Sequence, residues 1–194
     1  IQSRDFSGAH AAFLQAIRLE PDEPEHYAAV QMLYRARLQA LPPGVLAREI
    51  KAGNFGKLYS LEWSEKALAV SKNGFKYQAM QHFYLLDMLF LRLTIGHGLS
   101  VFRSGNIPLE EGEPDKLAGS ERFLRDNLSG RSIDRGTTAR FLAINLLCLG
   151  RMPEALTLLG AEAARNPQDS QLIDGLYAVL FGIGEDFRGF AAAV

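Results

Sequence analysis

The chain has 194 residues, 47% of them hydrophobic and 22% charged, with a formal net charge of −1 at pH 7. Lys and Arg (21) are matched by Asp and Glu (22), which excludes the marked basic excess of a dedicated nucleic-acid binder. A domain of this length buries enough surface to fold without staples, and the single cysteine, Cys148, has no internal disulfide partner.

Helical signals dominate from the start. Ala9, Ala12, Phe13, Ala16 and Ile17 recur at three and four, the stripe of an amphipathic helix. Pro21 and Pro24 punctuate it, because proline lacks the N–H that the ladder needs. Pro24 also suits the first turn of the next helix, which carries Tyr27, Val30, Leu33 and Tyr34 on one side. The "LPPG" stretch leads a short helix over residues 40–53. Residues 57–71 read as another helix, with Tyr59, Trp63 and Ala67 on a shared face.

"SKNG" is a turn, since asparagine and glycine tolerate positive φ. Residues 75–103 then read as one long apolar helix, bent near Gly96 and Gly98. Within it, residues 83–102 have the length of a membrane span. Asp87, Arg92 and His97 interrupt the run at a cost of a few kcal/mol each, so a buried helix is expected and no membrane partner. Residues 104–115 read as a solvated loop that collects Glu110, Glu111, Glu113 and Asp115. Residues 117–128 are helical, "SGRSIDRG" is a break, and from Thr137 onward helix and break alternate at intervals near seventeen residues.

Together these spacings resemble the tetratricopeptide repeat (TPR), a 34-residue helix–turn–helix unit. Ala9, Phe13, Ala16 and Pro21 match its second helix. Tyr27, Val30 and Tyr34 match the next first helix, with Gln31 where glycine is usual. Leu142, Ala143 and Leu146 fit a later first helix, Gly150 its turn, and Ala155, Leu159 and Pro167 its second helix. Leu176, Leu180 and Gly184 begin one more unit, followed by Gly189 and Ala193 at small-residue positions.

Pro21 and Pro167 lie 146 positions apart, four periods plus ten, and the surplus is about the size of the 104–115 loop. The resemblance therefore implies an all-α fold of helix–turn–helix repeats stacked as a TPR-like superhelix in a single domain over residues 1–194. Residues 5–37 and 137–193 match best, and 41–135 are degenerate repeats with an insertion near 104–115. An unrelated helical bundle with small residues at these places is the alternative. Small side chains let paired helices approach, so a large residue at Ala155 is expected to cost about 1–3 kcal/mol.

Catalytic and metal patterns are missing. His10, His26, His82 and His97 come with no HExxH or CxxC. The stretch Gly53, Asn54, Phe55, Gly56, Lys57 is too short for a phosphate loop. Cys148 sits among apolar neighbours and reads as a buried small hydrophobe. No enzyme activity and no cofactor are expected. What the TPR resemblance implies is an inner groove that binds an extended peptide or a helix, in a scaffold or adaptor. Carried over residue by residue, it is faced by Ala28, Met32 and Arg35, by Arg140, Ile144 and Leu147, and by Asp174, Ala178 and Phe181. Ala28 and Met32 stand where a carboxylate clamp would need Lys and Asn, which disfavours that clamp.

The chain begins at Ile1, so a fragment of a longer polypeptide is expected, and one reading makes it the recognition arm of a larger enzyme such as a transferase. The apolar end "GFAAAV" is expected to be covered by more chain, a partner or a second copy.

Overall fold

The computed structural model describes residues 5–54, 61–72, 74–129 and 133–168, and these residues are all-helical, with no strand among them. The helices are α1 (Phe6–Leu19), α2 (Pro24–Gln39), α3 (Pro43–Lys51), α4 (Glu62–Val70), α5 (Gly74–His97), α6 (Ser100–Ser104), α7 (Glu113–Leu128), α8 (Arg135–Cys148) and α9 (Met152–Arg165). The chain divides into two compact units, Ile1–Met88 and Leu89–Val194.

Local chemistry sets most helix ends. The Asp5 carboxylate accepts from Gly8 N–H at 2.8 Å and caps α1, as Asp134 caps α8 by accepting from Thr137 N–H at 2.7 Å. Pro24 opens α2, where its missing N–H is harmless. Tyr27 Oη then donates to the Pro21 carbonyl at 2.8 Å and closes the α1–α2 turn. The expected 75–103 helix is interrupted. α5 stops at His97, Gly98 takes φ +73°, and α6 restarts at Ser100. The left-handed residue ends the ladder, which glycine permits without steric cost. The expected helix over 40–53 shortens to α3, and of the one over 57–71 the described part is α4; residues 55–60 lie outside the described residues, as does Asn73 of the "SKNG" turn.

In the first unit α2 is central, packed against both α1 and α4. Tyr27, Ala28, Ala67 and Tyr77 form a buried cluster, with Ile17, Trp63, Leu68, Val70 and Met80 packed against it. Gln31 is fully buried, and its role is structural. The Leu61 N-cap of α4 makes no side-chain cap bond, and Ser64 N–H in the first turn is shared between the Leu61 carbonyl at 3.1 Å and Gln31 Oε1 at 3.2 Å. One helix thus adds a second acceptor at the start of another. Gln31→Ala is expected to cost about 0.5–1.5 kcal/mol, the loss of one buried hydrogen bond, because the Leu61 carbonyl still accepts from Ser64 N–H. Urea unfolding that shows an unchanged midpoint would refute this.

In the second unit α8 packs against both α7 and α9. Leu142, Leu146, Leu147, Leu117 and Leu124 are almost fully buried. Asn145, also fully buried, donates from Nδ2 to the Leu117 carbonyl at 3.0 Å and ties α8 to α7. α8 ends at Cys148 and is closed by Gly150, φ +73°, with Arg151 N–H bonded to the Leu146 carbonyl at 2.8 Å and Gly150 N–H to the Leu147 carbonyl at 2.9 Å. This Schellman closure satisfies the last carbonyls and reverses the chain into α9. Ala155 (0% exposed) and Leu159 (1%) face inward from α9. Ala155→Leu is expected to lower stability by about 1–3 kcal/mol through overpacking, measurable as a shift of the thermal midpoint.

Two charges that break the apolar run in the sequence have partners. Asp87 pairs with Arg35 at 2.7 Å within the first unit. Arg92 pairs with Glu113 at 2.6 Å and with Glu110, within the second. The loop expected as solvated is therefore anchored, and its Glu113 is buried at the start of α7. No helix among the described residues is long and apolar enough to cross a membrane.

Candidate functional site

The first unit carries an open trough with an apolar floor and a basic rim. Leu14, Ile17 and Arg18 come from one face of α1, at the three- and four-residue spacing that aligns side chains on a helix. Trp63, Lys66, Ala69 and Val70 come from α4, and Tyr27 of α2 completes the lining. The cavity measures about 390 Å³, within the usual range of ligand sites. α1, which forms one wall, packs on α2. The helix carries an apolar stripe, yet none of its residues is buried. Leu19, at its end, is 71% exposed.

The aromatic pair in the trough is ordered. The rings of Tyr27 and Trp63 lie 6.4 Å apart, tilted by 32°. Lys66 Nζ sits 4.5 Å from the centre of the Trp63 ring, a cation–π arrangement. The same ammonium pairs with Glu62 at 2.5 Å. Both partners are substantially exposed, so the pair contributes only about 0–1 kcal/mol. Arg18 is exposed and makes no ion pair among the described residues.

A second cavity, about 350 Å³, is lined by Asp5, Ser7, His10, Leu33, Tyr34 and Arg37 among others. Serine, histidine and aspartate share it, but they do not form a nucleophile–base chain. Asp5 already accepts from Gly8 N–H, and His10 makes edge contacts with the Tyr34 and Trp63 rings. No hydrogen bond joins Ser7, His10 and Asp5 side chains among the described residues. His10 Nε2 is buried with no hydrogen-bond partner among them.

No protein-family model, curated protein or solved structure matches the chain. Among the described residues no group of three His, Cys, Asp or Glu is placed to hold a metal ion. Cys148 is buried, and burial pushes its thiol up to about 12 from an ordinary value near 9. The thiolate is the reactive form. Cys148 is expected to resist a disulfide reagent at pH 8 in the folded protein and to react fully in denaturant. Rapid reaction of the folded chain would show an opening that exposes α8. His82 is partly buried, and that burial holds its imidazole below the usual range.

The residues assigned to a groove from the sequence have varied settings. Ala28 is buried in the first core, packed with Ala67 and Tyr77. Met32 is 59% exposed, and Arg35 is held by Asp87. Leu147 is fully buried, and Ile144 is half-buried. The Arg140 guanidinium lies 5.0 Å from the Phe141 ring, with its Nε buried and unbonded among the described residues. Asp174, Ala178 and Phe181 lie outside the described residues. None of the six described residues lines the trough. Ile17 and Trp63 were visible in the sequence as members of apolar stripes. A stripe reports which face is apolar, but not whether a neighbour covers it.

Proposed function

We propose that the chain is a TPR-like helical-repeat module that binds another protein or peptide. The observation that carries this is the trough between α1 and α4, where Leu14, Ile17, Trp63 and Val70 leave apolar surface open on a well-buried base. Surface of this kind on a folded domain marks interaction sites. The repeat reading is supported by the α8–α9 hairpin, where a left-handed Gly150 makes the turn and Ala155 and Leu159 fill inward positions. It is also supported by the α1–α2 pair, joined across Pro21 and Pro24. Neither cavity discussed above carries a catalytic chain, which leaves binding as the use these residues support best.

Trp63 is the sole tryptophan and lines the trough, so its fluorescence reports occupancy directly. A synthetic amphipathic peptide with leucine at i, i+3, i+4 and i+7 is expected to shift that emission saturably. Leu14→Glu is expected to abolish the shift. Failure of the amphipathic peptide and of extended apolar peptides alike to give a saturable change would reject the reading.

A further inference from the structure

We propose, building on the interaction reading above, that the trough takes an acidic amphipathic helix of a partner protein. Three observations point to that occupant. The first is charge. The eight lining residues include two cations, Arg18 and Lys66, and no anion. The chain as a whole carries a net charge of −1, so this local excess is a property of the site and not of the composition. A carboxylate-bearing ligand meets complementary charge at the rim, and a basic one meets repulsion.

The second is the state of those cations. Arg18 makes no ion pair among the described residues. Lys66 is held at the rim over the Trp63 ring, and its Glu62 partner is itself 60% exposed. An incoming carboxylate can share this ammonium without any buried pair being broken. Lys66 is already positioned, so less side-chain freedom is lost on binding.

The third is the form of the walls. Both α1 and α4 are helices packed on α2. Between their first and last turns their backbone groups are occupied in their own ladders, so these two walls offer no strand edge for an extended peptide to join. Recognition must run through side chains. On α1 they stand at Leu14, Ile17 and Arg18, and on α4 at Trp63, Lys66 and Val70. A third helix offers its anchors at i, i+3, i+4 and i+7, in the mode by which amphipathic helices fill grooves.

The experiment uses the 194-residue chain and three sixteen-residue peptides. All share one leucine stripe, and their polar faces carry glutamate, glutamine or lysine. Trp63 emission and calorimetry give the affinities. The glutamate peptide is expected to bind about tenfold or more tightly than the lysine peptide at low salt, with the gap narrowing as salt rises. Arg18→Gln with Lys66→Gln is expected to bring the glutamate peptide down to the glutamine peptide's affinity. Both positions are solvent-facing, so the double variant keeps its fold, checked by circular dichroism. Equal binding of the glutamate and glutamine peptides, or a preference for lysine, overturns the acidic assignment while leaving an apolar interaction site. Binding of none of the three overturns the acidic assignment, and the interaction reading falls with it when extended apolar peptides fail as well.

Discussion

Arg92→Ala is expected to destabilise the fold by about 3–5 kcal/mol, the largest effect of any single substitution considered. The Arg92 side chain is only 12% exposed, and Glu113 only 10%. Their contact, Nη2 to Oε2, is 2.6 Å. Nη1 reaches Glu110, and Nη2 also approaches the Pro108 carbonyl. Glu113 Oε2 accepts in turn from Glu110 N–H at 2.7 Å. Removing the guanidinium leaves a buried carboxylate with a single backbone donor, and an uncompensated buried charge is costly.

The intact pair itself stabilises far less, because desolvating both ions offsets most of their attraction. Arg92→Met with Glu113→Gln should therefore recover much of the loss, and a double-mutant cycle in urea would measure the coupling. A cost below about 1 kcal/mol for Arg92→Ala would show that water reaches Glu113.

Gly150→Ala should cost about 2–4 kcal/mol, for two reasons that can be separated. At φ +73° an L-residue crowds its own carbonyl, which costs about 1–2 kcal/mol. An added Cβ would also lie 2.7 Å from the Gly105 carbonyl oxygen, and a backbone atom cannot step aside as a side-chain tip can. Gly112 is the control. It takes φ +77°, with nothing within 4 Å of an added Cβ. Gly112→Ala should show the conformational cost alone, about 1 kcal/mol. Equal effects at the two positions would mean that the 105 and 150 turns part readily.

Much of the helical layout was legible in the residue string. Pro21, Pro24, Gly98 and Gly150 act through their own backbone chemistry, which needs no distant partner to take effect. Each falls at a helix boundary. Ala155 and Leu159 were legible as inward-facing through the TPR resemblance, which places a small and a large residue at these two positions of a second helix. Arg92 and Glu113 were not legible as a pair. Read alone, each is a charge in an unfavourable or a solvated place, and only the fold brings them together across 21 positions. Gln31 is the same case, since its acceptor role depends on Ser64, 33 positions away. The trough was the least legible. Leu14, Ile17, Trp63 and Val70 look like core residues, and whether they are covered depends on which helices neighbour them.

The sequence by itself determined that this chain is helical, where most of the helices turn, and which faces are apolar, because those properties follow from local dihedral preference and side-chain period. Only the tertiary structure decided which buried charges are paired, which helix start gains a second acceptor, and which apolar face is left open. Those outcomes depend on contacts between residues far apart in the chain, and no local preference encodes such distances.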